Sequence, residues 1–188
     1  MTNALRRAVF LDRDGVINRN RADHVKSWAE FEFLPGAQAS LRRLAQLPWA
    51  VVVVSNQAII GRGLVPQAVV DEIHERMTEE IRAAGGRIDA VFYCPHRPDE
   101  GCDCRKPRSG LLLRAARELA IDLARSVLIG DAESDVRAAQ AAGCRPILVR
   151  TGRGQAQEIF LHQQGLDHVV VVDDLASAVA WIELHGAW

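Results

Sequence analysis

Short apolar runs alternate with longer amphipathic segments along most of the chain. Six runs rich in valine, isoleucine, leucine and alanine are predicted to form strands, at residues 8–12, 50–55, 90–94, 127–130, 146–149 and 169–172. Most of these runs are continuously apolar, which is typical of strands that are buried on both faces of a parallel sheet. The strands are therefore predicted to form the middle layer of the fold.

Helical patterns fill the intervals between these runs. The clearest spans residues 66–84, where apolar side chains recur at spacings of three and four between an initial proline and two following glycines. Further helices are predicted at residues 37–46, 110–120, 134–142, 155–164 and 175–185. This alternation predicts an α/β fold with a doubly wound, Rossmann-like parallel sheet of about six strands and helices on both faces. Since there is no internal repeat, we expect one domain over residues 1–188.

Composition narrows the class of protein. The 188 residues are 48% hydrophobic and 25% charged, the balance of a globular domain with a sizeable core. The 23 lysines and arginines and 24 aspartates and glutamates leave a net charge of −1, so no overall basic field favours nucleic acid. The longest purely apolar run, residues 49–54, is too short to span a bilayer, and no apolar leader precedes the first strand. We therefore expect a cytoplasmic protein with no nucleic-acid or membrane partner.

Polar residues follow three of the apolar strands directly. The first strand leads into Asp-Arg-Asp-Gly at residues 12–15, the second into Ser-Asn-Gln at 55–57 and the fourth into Gly-Asp at 130–131. Any one of these groups could simply begin a loop or cap a helix. However, the carboxyl ends of neighbouring strands in a doubly wound sheet open into one crevice. Taken together, the three groups predict an active site there.

These motifs, with Arg-Lys-Pro at residues 105–107 and Asp135, resemble the four ordered motifs of the haloacid dehalogenase superfamily of phosphatases. The resemblance covers nearly the whole chain and implies a fold without a large cap. It makes Asp12 the nucleophile that forms an aspartyl-phosphate and Asp14 the general acid and then the base. Two carboxylates two residues apart on an extended segment point the same way, which suits these two roles. The other catalytic residues implied are Ser55 and Lys106, which would donate to the phosphoryl oxygens.

The resemblance also implies a magnesium site, because an anionic nucleophile and a phosphate dianion repel each other. The ligands would be Asp12, the backbone carbonyl of Asp14, and Asp131. Asp135 lies one helical turn after Asp131 and would orient Lys106 or a metal-bound water.

Three cysteines and a histidine lie close together within residues 94–104. Three thiolates and one imidazole are the ligand set of a closed tetrahedral zinc site, although unpaired reduced cysteines are the alternative. A closed site leaves no position for a water molecule, so the zinc would be structural and would hold the loop that leads into Lys106. The predicted zinc ligands are Cys94, His96, Cys102 and Cys104.

Within the superfamily, the chain resembles two families, the D-glycero-D-manno-heptose 1,7-bisphosphate 7-phosphatases and the histidinol-phosphate phosphatases. Segments 55–63, 107–112 and 149–152 favour the heptose enzymes, whose role is in the biosynthesis of nucleotide-activated heptose. The short zinc loop is closer to the histidinol branch. Departures from the heptose pattern are found at Ile59, Gly61 and Ala132. Two further alternatives are a nucleic-acid 3′-phosphatase and a non-catalytic, zinc-stabilised binding module.

The implied substrate is a small phosphorylated sugar, and the implied enzyme is a monomer. The residues predicted to bind substrate are Arg13, Asn56, Gln57, Arg62 and Arg105. Other cations expected on loops around the crevice are Arg19, Arg21, His24 and Arg108. Residues 150–154 are predicted to be only the turn that leaves the fifth strand.

Overall fold

A computed structural model describes residues 5–186, so the first four and last two residues of the expected domain lie outside the described part. Within it the strands form one parallel sheet in the order β3-β2-β1-β4-β5-β6. The order runs outwards from β1 in both directions, so the predicted doubly wound fold is confirmed. The strands are β1 (Ala8–Leu11), β2 (Ala50–Asn56), β3 (Ala90–Cys94), β4 (Val127–Gly130), β5 (Arg145–Val149) and β6 (Val170–Val172).

The helices follow the predicted order, and their ends differ from the prediction by at most two residues. One such difference has a clear cause: α3 ends at Leu119 because Ala120 adopts a left-handed conformation with φ of 51°. No helix in residues 5–186 has both the length and the apolar character needed to cross a membrane. The α-helices are α1 (Ala37–Leu44), α2 (Gln67–Ala83), α3 (Gly110–Leu119), α4 (Glu133–Ala142), α5 (Gly154–Gln163) and α6 (Leu175–His185). Short 3-10 helices are found at Trp28–Glu30, Pro98–Glu100 and Leu123–Arg125.

The sheet is buried on both faces, as its continuous apolar strands predict. Side chains alternate along a strand, so Leu11 of β1 packs with α1, α2 and α6 on one face. Phe10 points the other way and packs with α3 and α4. Leu148 of β5 lies in a smaller cluster with residues of α4 and α5. The two apolar layers hold the central strands rigidly, and with them the residues that follow each strand.

The register of the central strands brings their carboxyl ends together. Leu11, the last residue of β1, pairs with Val53 of β2 and with Ile129 of β4. The backbone nitrogen of Asp12 then donates to the carbonyl of Ile129 at 2.9 Å. The switch point of the sheet, between β1 and β4, therefore lies where the polar motifs begin.

Candidate active site

A cleft of about 490 Å³ opens at the carboxyl ends of the central strands. It is lined by all four predicted catalytic residues, which are Asp12, Asp14, Ser55 and Lys106. Of the predicted substrate-binding residues and nearby cations, those that line it are Asn56, Arg62, Arg105, Arg21 and His24. Arg19 and Arg108 are not among the lining residues and instead pair with Glu32 and Asp103.

A buried acidic cluster lies at the base of this cleft. Asp12, Asp131 and Asp135 each offer a carboxylate oxygen, and these three oxygens lie within 4.8 Å of one another. Gly15 and Gly152 pack tightly around one member of the cluster. A Cβ atom on Gly15, whose φ is 87°, would lie 2.1 Å from Oδ2 of Asp131, and one on Gly152 would lie 2.2 Å from it. These two positions require glycine because a larger residue would displace the carboxylate.

The carboxylates of this cluster are buried close to one another and repel each other when ionised, so a bound cation would stabilise them. Burial raises the pKa of Asp12 to about 6, against the opposing effect of Lys106. Burial also raises the pKa of Asp131 and of Asp135, and neighbouring carboxylates add to each rise. Hard divalent cations such as Mg²⁺ prefer carboxylate and carbonyl oxygens. The donor set therefore fits the magnesium ion that the sequence analysis expects.

Lys106 forms the cationic centre of the site. Its Nζ lies 3.0 Å from Oδ1 of Asp12 and 2.6 Å from Oδ1 of Asp135, and it donates to the carbonyl of Val54 at 2.8 Å. Only 1% of the side chain is exposed. Burial would lower the pKa of Lys106, but the two carboxylates outweigh burial and raise it. The ammonium group is therefore charged and fixed beside the predicted nucleophile.

Asn56 fixes the backbone of the same lysine. Its Nδ2 donates to the carbonyl of Lys106 at 3.0 Å, and its Oδ1 accepts from the backbone nitrogen of Lys106 at 3.1 Å. Asn56 was predicted to bind substrate. The structure places its amide on the protein chain, at the edge of the cleft.

Asp14 is held by three side chains. Arg13 Nη2 donates to its Oδ2 at 2.9 Å, Gln57 Nε2 to the same oxygen at 3.0 Å, and Asn18 Nδ2 to its Oδ1 at 2.9 Å. Burial would raise the pKa of Asp14, but Arg13 and these hydrogen bonds outweigh it and lower the pKa. Gln57 also donates to Oγ of Ser55 at 2.9 Å.

Arg13 and Gln57, which are predicted to bind substrate, lie outside the lining of the cleft. Both side chains are buried, 1% and 4% exposed, and neither lines the cleft. Asp12 and Asp14 line the cleft, whereas Arg13 between them does not. The structure places both residues behind Asp14, where they hold its carboxylate.

Arg153 is a site residue that the sequence analysis missed. Residues 150–154 were predicted to form only a turn, yet Arg153 lines the cleft. Its Nη2 donates to Oδ1 of Asp131 at 3.2 Å, and its backbone nitrogen donates to Oδ2 of Asp131 at 2.9 Å. The only available signal was the resemblance of residues 149–152 to the heptose enzymes, which assigns no role to this arginine.

The three cysteines and the histidine converge beside the cleft. The sulfur separations range from 3.2 to 3.5 Å, and His96 Nδ1 lies 3.3 Å from Sγ of Cys104. A tetrahedral zinc ion, about 2.3 Å from each sulfur, sets sulfurs roughly 3.7 Å apart. The four ligand atoms therefore fit a zinc ion with little movement. Arg105 follows the last cysteine and donates to the carbonyl of His96 at 3.3 Å, which links this cluster to the rim of the cleft.

Comparisons with known proteins agree with this geometry. Residues 103–178 match the family model described as HAD-hydrolase-like. The chain is 43% identical over 170 residues to a D-glycero-beta-D-manno-heptose-1,7-bisphosphate 7-phosphatase of Bordetella bronchiseptica, covering 90% of this chain and 93% of that protein. It is 38% identical over 175 residues to a protein of the same name from Pseudomonas aeruginosa, covering 93% and 97%. The crystal structure of D,D-heptose 1,7-bisphosphate phosphatase from B. bronchiseptica, complexed with magnesium and phosphate, matches with a TM-score of 0.88 and 41% identity, covering 95% and 98%.

Proposed function

The chain belongs to the D-glycero-β-D-manno-heptose-1,7-bisphosphate 7-phosphatase family, and we propose that it removes the C7 phosphate from the β anomer of that bisphosphate. The observation that carries the proposal is the pairing of Asp12 with Lys106 at the base of a cleft whose rim is rich in arginine. The β anomer is the one named in both of the curated relatives described above.

The reaction proceeds in two displacements at phosphorus. In the first, a carboxylate oxygen of Asp12 forms a bond to phosphorus while the bond from phosphorus to the C7 oxygen breaks, and Asp14 gives its proton to that oxygen. In the second, a water molecule attacks phosphorus, Asp14 takes the proton of the water, and Asp12 is released with inorganic phosphate. The lowered pKa of Asp14 keeps its carboxylate ionised, as a proton acceptor must be in the second step. In the first step, the negative charge of the bound phosphate dianion raises that pKa and favours the protonated form that acts as the acid.

The remaining side chains hold the phosphoryl group. Ser55 and Lys106 donate to its oxygens, where charge-assisted hydrogen bonds stabilise the developing charge. The residues that would hold Mg²⁺ are Asp12, the backbone carbonyl of Asp14, and Asp131. When bound, the ion supplies positive charge that offsets repulsion between the nucleophile and the phosphate. Asp135 holds Lys106 in place through its 2.6 Å contact.

Arginines at the rim are placed to bind the second phosphate of the substrate. Arg105 is tethered to the zinc loop, so its guanidinium is already placed beside the cleft. We expect Arg105→Ala to raise KM for the bisphosphate about tenfold, with a smaller rise for the corresponding 7-monophosphate. Steady-state phosphate release measures both values. Arg19→Ala is the matched control because Arg19 is paired with Glu32 outside the cleft. Equal rises for both substrates would remove Arg105 from recognition of the second phosphate.

We propose further that the cysteine cluster binds one structural zinc ion. Removing the ion should free the loop that carries Lys106, lowering the unfolding midpoint by about 10 °C and kcat at least about tenfold. Elemental analysis, thermal unfolding and phosphate release on Cys102→Ser test this. Cys144→Ser is the control, because Cys144 is buried outside the cluster. Full activity in protein verified to be free of zinc would contradict a structural role.

A substrate panel tests the function directly. Phosphate release is measured with Mg²⁺ from the β and α anomers of the bisphosphate, from histidinol phosphate and from a 3′-phosphorylated oligonucleotide. We expect kcat/KM for the β anomer to exceed the others by about a hundredfold or more. A preference for histidinol phosphate would overturn the proposal and would point to Ile59 and Ala132 as the informative departures. A monomer, a single domain and a cytoplasmic location stay predictions.

A further inference from the structure

A buried histidine lies behind the general acid, outside the cleft. His74 is on α2 and is only 5% exposed, and its Nε2 lies 3.2 Å from Nη1 of Arg13. The other terminal nitrogen of Arg13 donates to Asp14 at 2.9 Å. The three side chains therefore form a continuous line from α2 to the cleft. No motif singles out this histidine, which lies within the amphipathic helix predicted over residues 66–84.

The direction of the contact is determined by the chemistry of arginine. A guanidinium group has donors and no acceptor, so Nε2 of His74 must accept, and the ring must be neutral with its proton on Nδ1. Nδ1 is buried and has no hydrogen-bond partner, so no neighbouring acceptor stabilises a charged ring. Burial lowers the pKa of His74 to about 3, and the charge of Arg13 contributes to the fall. The ring is therefore neutral at pH 7 and can accept from Arg13.

The contact also satisfies a buried donor of Arg13. On its other side, His74 lines a groove of about 430 Å³ whose wall includes Asp71, Glu75 and Glu79. Arg13 is 1% exposed, and its Nε has no hydrogen-bond partner. A guanidinium that lost its His74 partner would have one more unsatisfied buried donor. Only its contact with Asp14 would then hold the terminal nitrogens, so the orientation of Nη2 towards Asp14 would be less strictly fixed.

We propose that His74 is a positioning residue for the phosphatase reaction, fixing through Arg13 the carboxylate of Asp14 that protonates the leaving oxygen. The inference rests on the proposed function and extends it beyond the cleft. Its effect is specific, because Asp14 matters most when the leaving group needs a proton. A sugar alkoxide needs one, whereas p-nitrophenolate leaves readily without it.

Two amide substitutions test the proposal. The carbonyl oxygen of His74→Gln can reach the place of Nε2 and accept from Arg13, while His74→Asn is too short and reaches only the place of Nδ1. We expect His74→Asn to lower kcat/KM for the bisphosphate about tenfold while KM stays within twofold. We expect kcat/KM for p-nitrophenyl phosphate, which reports steps up to departure of the first product, to change less than twofold. His74→Gln should restore most of the lost activity.

The outcomes separate positioning from folding. An equal fall for both substrates, or a glutamine variant as slow as the asparagine variant, would overturn the proposal, since a purely structural role affects both substrates alike. Thermal unfolding of both variants measures any loss of folded protein. Failure of the proposed function is recognised separately, by absent turnover of the bisphosphate in the unmodified chain. In that case, glycerol phosphate replaces the bisphosphate as the alkyl substrate, and the same leaving-group comparison applies.

Discussion

Asp12→Asn will lower kcat for phosphate release at least about a thousandfold while the protein remains folded. An amide oxygen is a poor nucleophile towards phosphorus, so the aspartyl-phosphate does not form. The fold tolerates the change for two reasons. Burial already raises the pKa of Asp12 to about 6, so a neutral side chain at this position lowers the free energy of unfolding little. Lys106 also keeps Asp135 as its partner.

Phosphate release and thermal unfolding on the purified variant check this expectation. Asp23→Asn is the matched control, because Asp23 is 61% exposed and pairs with Lys26 at the surface. It should leave kcat unchanged. Activity within tenfold of the unmodified enzyme in Asp12→Asn would rule out Asp12 as the nucleophile. An unmodified chain without phosphatase activity would instead favour a zinc-stabilised binding module.

Lys106→Met should cost both activity and stability. We expect kcat to fall at least about a hundredfold, because the phosphoryl group loses its nearest ammonium. We also expect the free energy of unfolding to fall by about 3 kcal/mol, because the buried carboxylates of Asp12 and Asp135 lose the cation that lies between them. Denaturant unfolding and phosphate release measure the two effects. Lys26→Met, at a partly exposed lysine, should change either by little.

The stability loss in Lys106→Met should depend on pH. Without the lysine, the folded-state pKa values of Asp12 and Asp135 rise further above those of the unfolded chain. Such groups destabilise the fold as pH rises through their folded-state pKa, and they do so little when they are protonated. The loss should therefore be smaller at pH 5 than at pH 8. An equal loss at both values would show that packing, and not unpaired charge, accounts for the effect.

Local patterns were enough to predict the sheet and the residues that follow its strands. A continuous apolar run predicts a buried strand, and the topology of alternating strands and helices then fixes where Asp12, Ser55 and Asp131 converge. The spacing of the three cysteines and the histidine within residues 94–104 likewise predicted that their side chains lie together. Each of these inferences depends on residues that are close in sequence or on a general rule of the fold.

The positions that sequence analysis missed depend on contacts between distant parts of the chain. Arg153 reaches Asp131 only because β5 lies beside β4, and a turn sequence does not show where its side chain points. His74 reaches Arg13 across 61 positions of sequence. The sequence predicts that Arg13 and Gln57 belong to the site. It does not show that both side chains are buried behind Asp14, since this depends on packing between distant segments. Such assignments need coordinates.

The arginines that line the cleft show that charge is distributed unevenly over the molecule, although its net charge is close to zero. Five cations line the cleft, and they outnumber its carboxylates even when Asp131 and Asp135 at the base are counted with Asp12 and Asp14, while the whole chain has a net charge of −1. The catalytic opening is therefore the more positive end of the molecule. A multiply charged anion is turned and drawn towards that end before it touches the protein, over a range of about 10 Å in 0.1 M salt. Added salt should therefore slow substrate capture while leaving turnover of the bound substrate largely unchanged.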